Sequence, residues 1–148
     1  MISIRTEVKG ETDAPPFMRF FECRDDVDEL LLFESIKRIE DKLSKNLKIN
    51  TNESLVMYCG YIIKQLRDHV SIPDIEKRAS KLLHPLEVMI GVPETLRRIS
   101  FFIKLDNLPR KKILFHEPIS IMPYKEELYL NSGCSNYLLD SNKQTMTY

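Results

Sequence analysis

The sequence predicts a small α+β domain in which about four helices are followed by a β-hairpin. Apolar residues recur at helical spacing from residue 25 to about residue 89, and after Gly91 the pattern changes to strict alternation. The chain has 148 residues, of which 43% are hydrophobic and 30% are charged. These values are typical of one soluble domain with a modest core.

An arm and an amphipathic helix are predicted at the N-terminus. The first 27 residues carry Gly10, Pro15 and Pro16 without a sustained period, so we expect an extended arm that can pack on a partner. The first helix is predicted from Asp25 to about Lys45, because acidic residues favour a helix N-terminus. Its expected inward positions are Val27, Leu30, Leu31, Ile36, Ile39 and Leu43.

The second helix has the clearest predicted start. Asn50 and Glu53, three residues apart, are spaced for a capping box, and the helix is expected to end near residues 67–69. Its expected inward positions are Leu55, Val56, Cys59, Ile62, Ile63 and Leu66.

Two shorter helices are predicted next. Ser71 is expected to cap a third helix that is entered through Pro73 and Asp74. Its inward positions are Ile75, Ala79, Leu82 and Leu83. After His84 and Pro85 we expect a short fourth helix that holds Leu86, Val88 and Met89. Gly91 and Pro93 then prevent the helix from resuming.

The region after the helices predicts a β-hairpin. Ile99, Phe101, Ile103 and Leu105 alternate with mostly polar residues, which is typical of a strand with one buried face, and residues 110–115 supply the returning strand. Because an isolated hairpin is marginal in water, we expect it to pack on the helices, and it can also extend the sheet of a partner. The simpler alternative is a hairpin that only covers its own helices.

Composition excludes several classes of partner. The chain has 22 basic and 22 acidic residues, so its net charge favours neither nucleic acid nor an anionic membrane. No apolar run approaches the roughly 20 residues that span a bilayer, and no signal peptide is evident, so we expect a cytoplasmic protein. Cys23, Cys59 and Cys134 are odd in number and widely spaced, which favours reduced thiols.

The sequence predicts no chemistry of its own. His69, His84 and His116 lack the close spacing of a metal-binding pair and are interpreted as surface or capping residues. Cys59 lies on an inward helix face with no adjacent histidine, so it is not expected to be a nucleophile. A DNA-binding helix-turn-helix at Asn50 is disfavoured, because the following helix has few basic residues.

Three motifs, in order, resemble one protein family. Residues 47–54 keep Leu47, Lys48, Asn50, Glu53 and Ser54 of a Leu-Lys-Leu-Asn-x-x-Glu-Ser pattern. Residues 88–94 follow a Val-Met-Glu-Gly-Val-Pro-Glu pattern with Ile90 in place of the acidic residue, and residues 116–119 match a His-Glu-Pro-Ile tail. Over residues 28–119 the chain is similar to the gamma subunit of urease, although residues 106–109 replace the Pro-Asp-Gly turn of that family.

The resemblance implies a scaffold in an enzyme whose chemistry lies in another chain. It implies partner alpha and beta subunits, two nickel ions in the alpha subunit, hydrolysis of urea to ammonia and carbamate, and self-association around a three-fold axis. No catalytic, cofactor-binding or metal-binding residue is expected here. The candidate subunit-interface residues are Lys48, Asn50, Glu53, Gly91, Val92, Pro93, Glu94, His116 and Pro118.

The flanking segments and a second hypothesis stay open at this point. The resemblance divides the chain into an N-terminal extension (1–27), a gamma-like domain (28–119) and a C-terminal extension (120–148). Residues 127–133 faintly resemble the opening strand of a urease beta subunit, so the tail is either a polar extension or the remnant of a gamma–beta fusion. The alternative function is a non-enzymatic interaction module that shares the gamma fold without urease activity.

Overall fold

Four antiparallel strands form one sheet, and the helices lie against one of its faces. The structure is a computed structural model that describes residues 2–9 and 17–121. The strands β1 (Ile2–Lys9), β2 (Phe17–Cys23), β3 (Arg98–Leu105) and β4 (Lys111–His116) are ordered β2-β1-β3-β4. The helices are α1 (Asp26–Ser44), α2 (Thr51–Arg67), α3 (Ile72–Arg78) and α4 (Val92–Thr95). The predicted α+β class is confirmed.

The predicted helix starts are confirmed by their caps. Asp25 caps α1 by accepting a hydrogen bond from the Asp28 N–H, and Asn50 and Glu53 form the expected capping box at α2. The Ser71 hydroxyl accepts from the Asp74 N–H at 3.4 Å. In each case a side-chain oxygen satisfies an N–H group that the first helical turn leaves without a partner.

The fourth helix lies elsewhere than predicted. Residues Pro85–Glu87 form a single 3₁₀ turn, and Val88 is extended and forms a bridge with Ile49. The short helix α4 instead starts after Gly91, with Pro93 in its first turn. Pro93 was interpreted as a helix breaker, which was wrong because proline is tolerated where the N–H has no helical partner.

The sheet is larger than the predicted hairpin. β3 and β4 pair as expected, from Arg98–His116 to Ile103–Lys111. β1, which the sequence did not predict, pairs along the other edge of β3 from Ile2–Leu105 to Lys9–Arg98. The hairpin therefore cannot extend a partner's sheet through β3. The two strands of the predicted N-terminal extension, β1 and β2, belong to this sheet. Residues 10–16, and residues 122–148 of the predicted C-terminal extension, lie outside the described residues.

The predicted inward face of α1 is confirmed in the second half of the helix and wrong in the first half. Leu32 and Ile39 are buried, and Ile36 and Leu43 are partly buried. Val27, Leu30 and Leu31 were expected to face inward, and this was wrong. α1 packs closely on α2 at Gly60, where an added Cβ would overlap Cδ1 of Ile36. Because of this close approach, α1 packs on α2 through the face that contains Ile36, and Leu30 and Leu31 face outward.

The core lies between the helices and the inner face of the sheet. Phe115 on β4 is 1% exposed and stands edge-on to Tyr58 of α2 and Phe101 of β3, with ring centroids 5.4 Å and 5.0 Å away. Edge-to-face pairs at such distances add to the stabilisation from burial. Phe115 therefore joins the helical and sheet layers.

Replacing Tyr58 with phenylalanine is expected to leave stability unchanged or to raise it by up to about 1 kcal/mol. The Tyr58 hydroxyl is buried without a hydrogen-bond partner among the described residues, so its removal relieves a desolvation penalty. Tyr61→Phe is the matched control, because the Tyr61 hydroxyl donates to the Ile75 carbonyl at 2.8 Å and its loss is expected to destabilise by about 1 kcal/mol. Guanidinium unfolding curves measure both, and an equal loss for the two variants would contradict the assignment.

Candidate subunit interface

Two segments that are far apart in the sequence meet at a backbone bridge. The Ile49 N–H donates to the Glu87 carbonyl at 3.0 Å, and the Met89 N–H donates to the Ile49 carbonyl at 2.9 Å. Ile49 and Val88 are both buried beneath this parallel bridge. The bridge brings the segment that contains Lys48, Asn50 and Glu53 next to the segment that contains residues 91–94.

A polar network holds the first of these segments. The Glu53 carboxylate accepts from the Asn50 N–H at 3.0 Å and from Lys42 Nζ at 2.8 Å, and the Glu53 N–H donates to the Asn50 side chain at 2.8 Å. Burial opposes ionisation of Glu53, but the hydrogen bonds from Lys42 and Asn50 outweigh it and lower the pKa of Glu53 below its ordinary value. The network ties the start of α2 to α1.

Acidification is expected to weaken this network. Because the pKa of Glu53 is lower in the folded than in the unfolded chain, its contribution is complete above the unfolded pKa of about 4.3 and is lost as the pH falls through the folded value. Glu53→Gln keeps a side chain suited to a capping box but loses the charge. The stability difference between wild type and Glu53→Gln should therefore shrink between about pH 5 and pH 3. A difference that stays constant over this range in guanidinium unfolding would contradict the assignment.

The second segment is a tight turn built on Gly91. Gly91 has φ +93°, a conformation that side chains with a Cβ rarely adopt. Its carbonyl accepts from the Thr95 N–H at 3.0 Å and from the Thr95 hydroxyl at 2.8 Å. Apart from the two neighbouring residues in the chain, no described atom lies within 4 Å of where a Cβ at residue 91 would stand, so the described surface beside the turn is open.

Exposed apolar side chains flank the bridge on both segments. Leu47 precedes it on one segment, and Met89 and Ile90 follow it on the other; Ile90 is 59% exposed. We call these three residues together with Gly91 the junction patch. Sequence reasoning noted Ile90 only as a departure from the family pattern. An apolar residue in place of an acidic one beside a tight turn could have indicated an exposed apolar surface.

The two remaining predicted residues lie at the end of β4. The Glu117 N–H donates to the Arg97 carbonyl at 2.7 Å, which fastens this end of the chain to the residues just after α4. Within this segment His116 is exposed, whereas Pro118 is buried. Val92 in the Gly91 turn is likewise buried. Val92 and Pro118 can therefore shape a subunit interface but do not stand on the surface that a partner would contact.

The described part of the chain contains no candidate metal site. Within residues 2–9 and 17–121 there is no cluster of three or more His, Cys, Asp or Glu side chains that could hold a metal. His84 Nδ1 accepts from the Leu86 N–H at 3.0 Å, which is a capping role. Burial raises the pKa of the Cys59 thiol to about 12, despite a hydrogen bond with Thr6, so it stays protonated at neutral pH. Cys134 lies outside the described residues.

The chain is a small α+β domain with an exposed apolar patch, and its described residues contain no candidate metal site. Residues 20–119 match the family of the urease gamma subunit, and the chain belongs to that family. It is 27% identical over 92 residues to "Urease subunit gamma" of Halalkalibacterium halodurans, which covers 62% of this chain and 91% of that protein. It is 26% identical over 93 residues to "Urease subunit gamma" of Prochlorococcus marinus strain MIT 9312, which covers 63% of this chain and 92% of that protein.

The sheet extends beyond the N-terminal end of the region that matches the family. The matched region starts at residue 20, so β1 and the first residues of β2 lie outside it although they pair in the same sheet. Neither α1 nor any other helix of the described residues is both long enough and apolar enough to cross a bilayer.

Proposed function

We propose that this chain is the gamma subunit of a nickel-dependent urease and serves as a scaffold in that complex. The observation that carries the proposal is family membership over residues 20–119, together with matches that span more than nine-tenths of two urease gamma subunits. The partners are alpha and beta subunits, and the complex hydrolyses urea to ammonia and carbamate in the cytoplasm. Three copies of this chain associate around a three-fold axis.

Nickel belongs to the alpha subunit in this proposal. The donor groups of the described residues do not fit a metal centre, because no three potential ligands converge. When bound by the partner, nickel polarises the urea carbonyl and lowers the pKa of a bound water. The contribution of this chain is surface that holds the neighbouring subunits in place.

The junction patch supports a scaffold role. Exposed apolar side chains beside a rigid turn are typical of a surface that is buried in an assembly. The Asn50–Glu53 capping box and the Ile49–Val88 bridge fix the backbone beneath the patch, so little conformational freedom would be lost on association.

Co-expression with urease alpha and beta subunits tests the proposal. We expect one complex that contains all three chains, with a mass that is a multiple of three units, in native mass spectrometry. Leu47→Asp combined with Ile90→Asp should prevent this complex while leaving the circular dichroism spectrum unchanged. Lys77→Glu combined with Lys81→Glu, at exposed positions away from the patch, is the control and should assemble. A chain that never enters a complex would favour the non-enzymatic interaction module.

A further inference from the structure

The outer face of the sheet is predominantly basic. Side chains alternate across a strand, so the residues between the buried positions of β1, β3 and β4 share the face away from the helices. Five of them are basic and only Glu7 is acidic among the described side chains. We call the five the basic sheet face: Arg5, Lys9, Arg98, Lys104 and Lys112.

Among the described residues these cations are largely unneutralised, although the Glu76 carboxylate of α3 accepts from the Leu114 N–H at 2.8 Å on β4. Arg5, Lys9, Arg98 and Lys112 form no salt bridge with the described side chains of residues 2–9 and 23–121, and Lys104 donates to the carbonyls of Asp106 and Leu108. By register, Glu22 of β2 lies opposite Ser3 at one side of this face. The chain as a whole has no net charge, so the face is a local excess.

An aromatic ring stands in the middle of the basic sheet face. Phe102 is only partly buried, and the register places it between Arg5 on β1 and Lys112 on β4. The Arg5 guanidinium lies 4.4 Å from the ring centroid and Lys112 Nζ lies 5.6 Å from it. Because these cations already contact the ring, a nucleic-acid base would have to displace them to stack. Leu114, 46% exposed, adds a second apolar contact.

A surface of the opposite character lies on the first half of α1. Residues 24–34 contain five acidic residues, Asp25, Asp26, Asp28, Glu29 and Glu34, and one basic residue, Arg24. Three apolar side chains of this segment are exposed: Val27 at 63%, Leu30 at 62% and Leu31 at 60%. We call Asp26, Val27, Leu30, Leu31 and Glu34 the acidic helix face. The opposite side of α1 faces Gly60 and the core through Leu32, Phe33, Ile36, Ile39 and Leu43.

We propose that the acidic helix face of one copy of this chain docks on the basic sheet face of a second copy. Each surface combines an excess of one sign of charge with exposed apolar side chains, and the two signs are opposite. Glu34 also forms an ion pair of 3.6 Å with Lys37 on the next turn of α1. Carboxylates would meet the unpaired cations while the leucines cover Phe102 and Leu114. The two surfaces are different parts of the molecule, so the contact is head-to-tail and forms a ring where the rotation closes.

This contact rests on the proposed function, because it describes how copies of this chain associate with each other in that complex. It involves no residue of an alpha or beta subunit. β1 supplies two of the five cations and lies outside the region that matches the urease gamma family. The other three cations, Phe102 and the acidic helix face lie within the matched region, so the proposed contact combines residues from both parts of the chain.

Two complementary charge reversals test the proposal on the full-length chain without partners. The sheet variant is Arg98→Glu with Lys112→Glu, and the helix variant is Asp26→Lys with Glu34→Lys. In sedimentation velocity at about 50 mM salt, the wild type is expected to associate reversibly, and association should weaken at about 500 mM salt. Each variant alone should be a monomer, with self-association weakened at least about tenfold.

Mixing the two variants is the decisive step. The sheet variant keeps its helix face and the helix variant keeps its sheet face, so a 1:1 mixture is expected to restore association. The product is a heterodimer, or a larger alternating assembly where the two reversed faces, which are also opposite in charge, attract each other. Lys77→Glu with Lys81→Glu reverses two exposed charges elsewhere and should associate like the wild type. Circular dichroism establishes that every variant is folded.

Four outcomes would overturn the proposal. They are a wild type that is monomeric at every concentration, variants that associate like the wild type, a mixture that stays monomeric, and a basic sheet face that binds a labelled single-stranded RNA while the chain does not self-associate. A urease complex that assembles despite a failed mixing test would overturn this contact and leave the proposed function standing. A successful mixing test without a urease complex would support this contact and overturn the proposed function.

Discussion

Replacing Phe115 with alanine is expected to lower the free energy of unfolding by about 3 to 5 kcal/mol. The side chain is 1% exposed and contacts aromatic rings from both layers of the fold, Tyr58 on α2 and Phe101 on β3. Its removal loses the burial of the ring and leaves a cavity that the sheet and α2 cannot easily close. Guanidinium unfolding at neutral pH measures the change.

Leu108→Ala is the control for this prediction. Leu108 is a large apolar residue in the turn between β3 and β4, but it is 38% exposed and does not belong to the buried core. Its truncation is expected to change stability by less than about 0.5 kcal/mol. A Phe115→Ala loss no greater than that of Leu108→Ala would mean that the two layers are not joined at Phe115.

Replacing Gly91 with valine is expected to destabilise the chain by about 1 to 3 kcal/mol and to reduce its incorporation into a complex with partner subunits. At φ +93° a β-branched side chain strains the backbone, and the valine would also project into the open space beside the junction patch. Guanidinium unfolding gives the first effect, and co-purification with the alpha and beta subunits gives the second.

Gly91→Asn distinguishes strain in the backbone of the turn from steric obstruction of a partner subunit. Asparagine tolerates positive φ better than other side chains with a Cβ, so this variant should lose less stability than Gly91→Val. If both variants assemble as well as the wild type, the Gly91 turn lies outside the interface. A Gly91→Val chain as stable as the wild type would instead contradict the backbone conformation described for the turn.

Local chemistry explains why the helix starts could be predicted. Asp25, Asn50 and Ser71 are side chains that cap helices, and each does so. Alternation likewise predicted β3, whose Ile99, Phe101, Ile103 and Leu105 are all buried. These features depend on residues within a few positions of each other, so the sequence is sufficient for them.

The features that sequence reasoning missed depend on tertiary contacts. β1 alternates between the two faces of the sheet, but its inward Thr6 is polar, so its period was not recognised. The outward turn of Leu30 and Leu31 follows from the close approach of α1 to Gly60, which no local pattern indicates. α4 was missed because Pro93 was weighed as a breaker without considering the first turn of a new helix.

The candidate interface was predictable only in part. The segments around Asn50 and Gly91 were identified from separate motifs, and the structure brings them together through the Ile49–Val88 bridge. Pro118 and Val92 were expected at the interface and are buried in the chain itself. The role of all nine candidate residues in binding a partner stays a prediction.

Ammonia release from urea by material purified through a tag on this chain tests the central claim most directly. The chain is co-expressed with urease alpha and beta subunits in the presence of nickel, and activity is followed across a size-exclusion column. The scaffold account predicts that activity, nickel and this chain elute together in one large complex, and that the Leu47→Asp, Ile90→Asp variant elutes apart from the activity. Active enzyme that elutes without this chain, or a tagged chain that carries neither nickel nor activity, would contradict it.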